Sequence, residues 1–146
     1  MSEANSDKPT SMVTILLVDD DQSEHLLFER KLAGFSNPAI ALGCVEDIDT
    51  AVRFLENEPV DMIFLDNRLT PRMDFRETAP KLRDAGFTGP IGLISSDITG
   101  DYFQSFPDFG VDFRIGKDEI DAQAITFIMS EFLGKRFENS CDDDPN

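Results

Sequence analysis

Apolar residues in this chain come in short runs separated by polar and amphipathic stretches. Met12–Val18 is a β-branched run of strand length that stops abruptly at Asp19, Asp20 and Asp21. Residues 22–35 carry Phe28, Leu32 and Phe35 at helical spacing, with Glu24, Glu29, Arg30 and Lys31 on the other faces. Gly34, Asn37 and Pro38 end that helix. Residues 39–45 read as a second strand. A helix opening at Glu46 or Asp47 places Ile48, Ala51, Val52 and Leu55 on one stripe, and Pro59 follows it. Residues 60–66 form the third strand, with Met62-Ile63-Phe64-Leu65 halting at Asp66.

The next helix has two readings. Asp74 with Glu77 resembles a capping box with Asp in the Ser/Thr place, which leaves Pro80 inside the helix. A start at Thr78 puts Pro80 in the tolerant first turn instead. Gly86 stops the helix in either case. Residues 91–95 are a fourth strand ending at Ser95, and residues 112–116 a fifth ending before Lys117. Between them, residues 98–110 predict a poor helix limited by Gly100 and Pro107. Residues 119–137 predict a long last helix with Ile120, Ala124, Ile128 and Phe132 inward.

Strands alternating with helices predict an α/β fold. The arrangement expected is a flavodoxin-like, doubly wound, five-stranded parallel sheet of order 2-1-3-4-5 with five helices. Its switch point lies between the first and third strands. Asp19, Asp20 and Asp66 then surround one crevice, and Ser95 and Lys117 reach the same rim.

The chain has 146 residues, which suits one domain, and its 40 % hydrophobic and 29 % charged content is that of a water-soluble globular protein. No apolar run approaches the ~20 residues of a membrane span, and residues 1–10 lack a signal-peptide core, so a cytoplasmic location is expected. Cys44 and Cys141 form neither a disulfide framework nor a metal pattern. The net charge of −16 argues against nucleic acid as a partner. Residues 1–11 read as a disordered arm and residues 139–146 as an acidic tail.

Three carboxylates converging on one crevice repel one another, so a cation must offset them or one must hold a proton. Carboxylate and carbonyl oxygens suit Mg²⁺. Lys117 adds a point charge, and Ser95 adds a hydroxyl. Together these groups suit phosphoryl transfer, with a carboxylate able to act as nucleophile.

Leu17-Val18-Asp19-Asp20, Leu65-Asp66 with Pro71 and Met73-Asp74, Ile94-Ser95-Ser96 and Lys117 occur in order, each set at a strand end. In these positions, over about residues 13–133, the chain resembles the receiver domain of two-component response regulators, which sets the expected domain at residues 12–138. The resemblance implies that Asp66 accepts a phosphoryl group from a phosphohistidine on a histidine kinase or histidine phosphotransfer protein. It implies that Asp19, Asp20, Asp66 and the main-chain carbonyl of Arg68 hold Mg²⁺. It further implies that Lys117, Ser95 and Ser96 meet the phosphoryl group.

The chain also departs from that family. Its loop after Asp66 carries one extra residue, Phe75 stands where glycine is usual, and Asp118 stands where a proline often follows the lysine. Arg114 occupies the fifth-strand position that usually holds Tyr or Phe, so an altered switch is expected there. Tyr102, Phe103, Phe106 and Phe109 crowd one segment, either as core or as a partner surface. His25 reads as structural rather than as a phosphodonor.

No further output segment is expected after the receiver-like region, so signalling is expected through a downstream protein target or onward phosphotransfer. Two other readings stay open. One is an interaction module of receiver fold that is never phosphorylated. The other is a haloacid dehalogenase-like phosphatase with Asp19 as nucleophile and Asp21 as acid/base.

Overall fold

The computed structural model describes residues 12–35, 39–67, 69, 74–95 and 101–134, the side chains of 101–103 excepted. The elements in order are β1 (Met12–Val18), α1 (Gln22–Leu32), β2 (Ala39–Val45), α2 (Ile48–Asn57), β3 (Met62–Asp66), α3 (Phe75–Asp84) and β4 (Ile91–Ser95). A 3-10 helix (Asp101–Phe109), β5 (Phe113–Gly116), a short 3-10 turn (Lys117–Glu119) and α4 (Ala122–Phe132) complete them. The expected disordered arm and acidic tail lie outside the described residues.

All five strands pair in parallel in the order β2-β1-β3-β4-β5, the doubly wound arrangement that the alternation of elements predicts. Every residue of β3 and β4 is buried. A central parallel strand is covered on both faces, which is why these segments read as unbroken apolar runs. Successive side chains feed two cores. Leu16, Val18, Ile63, Leu65, Ile91 and Leu93 pack with residues of α2 and α3. Ile15, Leu17, Met62, Phe64 and Ile94 pack with residues of α1 and α4.

Each α-helix begins at an aspartate whose carboxylate accepts a backbone N–H of the first turn: Asp21, Asp47, Asp74 and Asp121. Each such cap stabilises by about 1 kcal/mol, so part of the acidic surplus is structural. Asp74 Oδ1 accepts from Arg76 N at 2.9 Å, which settles the start of α3 in favour of the aspartate cap. Pro80 therefore lies inside α3 and removes one ladder donor. The helix holds because Phe75, Thr78, Ala79 and Leu82 are buried.

Several boundaries and one helix type differ from expectation; β3, for one, begins at Met62 and not at residue 60. α1 ends at Leu32 and β5 begins at Phe113. The helix expected between β4 and β5 is 3-10 rather than α, with Pro107 inside it and Gly110 at φ +92° closing it. Phe106 and Phe109 pack against the α2/α3 core, and the Phe109 ring meets Phe75 edge-on at 5.7 Å. The last helix starts later than predicted because the Lys117–Glu119 turn and an extended Ile120 precede its cap at Asp121. That interruption shifts the helical phase. The buried face of α4 is Ile125, Ile128 and Met129, while Ala124 is half-buried and Phe132 is 38 % exposed.

Arg83 ties α3 to the strand ends opposite the Asp-bearing rim. Its guanidinium donates to the carbonyls of Phe87, Gly89 and Gly110 and pairs with Asp112 at 3.0 Å. Asp112 in turn accepts the Ile91 N–H at 2.8 Å. Replacing Arg83 with Met keeps the stem and removes every donor. The expected loss is about 2 kcal/mol, read as a lower urea midpoint at unchanged slope.

Candidate phosphoacceptor and cation site

The parallel register builds the site. Val18 pairs with Leu65, so the next residues along, Asp19 and Asp66, emerge side by side at the carboxyl ends of β1 and β3. Ser95 pairs with Gly116, which delivers Lys117 to the same rim. One carboxylate oxygen from each of Asp19, Asp20 and Asp66 lies within 4.8 Å of the others. Asp19 is fully buried and Asp66 is 7 % exposed, while Asp20 faces solvent. The Lys117 ammonium bridges the buried pair, 3.2 Å from Asp19 Oδ2 and 3.4 Å from Asp66 Oδ1.

These contacts set the charge balance. Burial pushes the Asp66 carboxyl up to about 7, the Asp19 charge adds to the rise, and Lys117 opposes it. Burial works against the Lys117 charge, but Asp66 and Asp19 outweigh it and hold the ammonium above its usual range. The expectation that crowded carboxylates must share a cation or a proton is met in this way.

Asp66 consequently makes stability depend on pH. Its folded pKa lies above the unfolded value, so the folded chain binds the extra proton between about pH 4 and pH 7. Its charge destabilises the fold above that window, and the penalty disappears as pH falls through it. In chelator-treated protein, Asp66→Asn is expected to stabilise by about 2–4 kcal/mol at pH 8. The gain should shrink to roughly 1 kcal/mol or less near pH 4, as read by urea melts at both pH values.

Ser95 is buried at the end of β4. Arg114 pairs in register with Leu93 and is half-buried on the α2/α3 face. Arg68, Ser96 and the side chains of Tyr102 and Phe103 lie outside the described residues.

Two residues join the site that its motifs did not single out. The Glu119 carboxylate accepts the Gly116 N–H at 2.9 Å and closes the turn that carries Lys117. His25 Nε2 lies 2.6 Å from the main-chain oxygen of Asp19. Glu119 was expected to open the last helix, and nothing in the spacing of His25 pointed to Asp19.

The donor set fits Mg²⁺. It is all oxygen, as a hard cation requires. Asp19 Oδ2 is fully buried and faces the Lys117 ammonium at 3.2 Å without a hydrogen bond of good geometry, so the carboxylates keep negative charge that a further cation would offset.

No family model matches this sequence, and no curated protein matches it. Solved structures do. The receiver domain of a sensor histidine kinase from Pseudomonas aeruginosa, described with a magnesium ion coordinated in its active-site cleft, is 22 % identical. It superposes with a TM-score of 0.69 over 84 % of this chain and 98 % of its own. A two-component response regulator from Clostridium difficile is 18 % identical, with a TM-score of 0.71 over 83 % of this chain and 95 % of its own. The signal receiver domain of an HD domain-containing protein from Pseudomonas fluorescens is 17 % identical, with a TM-score of 0.72 over 87 % and 98 %. The chain has the receiver-domain fold. Among the described residues, no helix is long and apolar enough to cross a membrane.

Proposed function

We propose that this chain is a phosphorylatable receiver, in which Asp66 takes a phosphoryl group from a phosphohistidine of a kinase or phosphotransfer protein. The observation that carries this reading is the Lys117 ammonium between Asp19 and Asp66, with Asp20 completing a cluster within 4.8 Å. Buried, paired and slightly open, Asp66 is the carboxylate that an incoming phosphorus can reach.

In the transfer step an Asp66 carboxylate oxygen forms a bond to phosphorus as the bond from phosphorus to the donor nitrogen breaks. The electron pair returns to the donor imidazole, and Asp66 becomes an acyl phosphate. Lys117 lies beside the Asp66 oxygen and neutralises negative charge that arrives on the phosphoryl oxygens. Asp19, Asp20 and Asp66 would hold Mg²⁺, with the Arg68 carbonyl implied as a further ligand by the family resemblance; the ion would supply positive charge against the carboxylate and phosphoryl oxygens. Ser95 supplies a hydroxyl at the end of the adjacent strand, with Ser96 after it.

Output passes to a protein target, or the phosphoryl group moves on to another histidine. Phe106 and Phe109 pack on the core, so a partner surface around the 3-10 helix draws on its outward residues. The phosphatase reading needs Asp19 as nucleophile, and a fully buried Asp19 disfavours it. The test is incubation with acetyl phosphate and Mg²⁺ followed by intact-mass measurement. One added phosphoryl group supports the reading. No addition, from acetyl phosphate or from a panel of phosphohistidine donors, overturns it in favour of an unphosphorylated interaction module.

A further inference from the structure

We infer that His25 is a positioning residue for the carboxylate cluster, acting through the main chain of Asp19; this rests on the functional reading above. The chain has a single histidine. It lies in the first turn of α1, and its Nε2 is 2.6 Å from the Asp19 carbonyl oxygen. A carbonyl only accepts, so Nε2 carries the hydrogen.

The other bonds of Asp19 show what this contact completes. The Asp19 N–H donates to the Val45 carbonyl at 3.0 Å, which extends the β1–β2 ladder by one residue. Its Oδ1 accepts the Asp21 N–H at 3.0 Å. With His25 on the carbonyl, both main-chain groups and one carboxylate oxygen are held. The remaining oxygen, Oδ2, faces Lys117 at 3.2 Å. The carbonyl also belongs to the peptide unit leading to Asp20. That unit is planar, so fixing its oxygen fixes the direction in which the exposed Asp20 leaves the strand. The loop from Asp19 to Asp21 lies beyond the last strand pairing of β1, at Val18. The imidazole therefore anchors the loop to α1 where the ladder has ended.

A pair of amide variants tests this. Gln can present an N–H close to where Nε2 lies; Asn is one methylene shorter and cannot reach the carbonyl. Mg²⁺ is titrated calorimetrically into the full-length chain and both variants, with thermal melts alongside. His25→Gln is expected to bind within about two-fold of wild type, and His25→Asn about ten-fold more weakly. The two melts should coincide. Equal affinity of His25→Asn and wild type overturns the inference and leaves the functional reading intact. An equal loss in both variants also overturns it, because that pattern reports lost ring packing and not the N–H. Absence of saturable Mg²⁺ binding by the wild-type chain overturns the functional reading, and this inference with it.

A second measurement needs no variant. The one imidazole yields one pair of ring nitrogens in a long-range ¹H–¹⁵N spectrum. At a pH where the ring is neutral, the proton is expected on Nε2; a ring protonated only on Nδ1 overturns the inference.

Discussion

Asp66→Asn is expected to take up no phosphoryl group from acetyl phosphate and Mg²⁺, its intact mass unchanged under conditions expected to label wild type. The argument is chemical. An amide oxygen is a far weaker nucleophile than a carboxylate, and a neutral side chain removes one of three carboxylates from the candidate cation site. The fold should survive, because Asn preserves the shape and relieves a charge that burial penalises. Lys117 keeps its contact with Asp19 at 3.2 Å. The same experiment separates rival chemistries. Labelling that persists in Asp66→Asn and vanishes in Asp19→Asn points to Asp19 as nucleophile.

Phe64→Ala is the substitution expected to cost the fold most. Phe64 is fully buried in the central strand, two residues before Asp66. Its ring meets Phe28 of α1 edge-on at 5.2 Å and Phe113 of β5 at 5.8 Å. Removing it leaves a cavity where α1, β3 and β5 meet, and the strands cannot collapse to fill it without breaking register. The expected loss is about 3–5 kcal/mol, a large share of the ~5–15 kcal/mol that holds a domain together. Urea denaturation should show a much lower midpoint. Phe127→Ala is the matched control: this ring is 64 % exposed on the outer side of α4, and the change should stay within about 0.5 kcal/mol.

Much of this was legible residue by residue. The runs ending at Asp19, Asp66, Ser95 and Lys117 marked the strand ends, because a buried parallel strand is apolar throughout and its chemistry begins where the run stops. Phe28 and Leu32 announced the buried stripe of α1 by their spacing, and both are buried. Other features depended on choices that spacing does not record. Asp74 and Thr78 both offered a start for α3, and the choice fell to Asp74 because burial of Phe75 rewards the longer helix. The 101–109 segment carried the proline that warned against a regular helix, yet its 3-10 form answers to the packing of Phe106 and Phe109. The inner face of α4 moved because a three-residue turn preceded it. His25 looked like an ordinary helical residue; its bond to Asp19 exists because α1 folds back over the end of β1.

By itself, then, the order of residues determined which segments are strands and helices, which side chains are apolar enough to be covered, and which carboxylates and amine stand at strand ends. Those properties are local: they follow from periodicity, caps and breakers within a few residues. The strand order already implied that residues 19, 20, 66 and 117 meet; only the tertiary structure decided the distances between them and the burial that pushes the Asp66 carboxyl up to about 7. Distance and burial between segments far apart in the chain depend on strand order and register. Those are set by how the two cores pack on either side of the sheet, a collective outcome that no single stretch encodes.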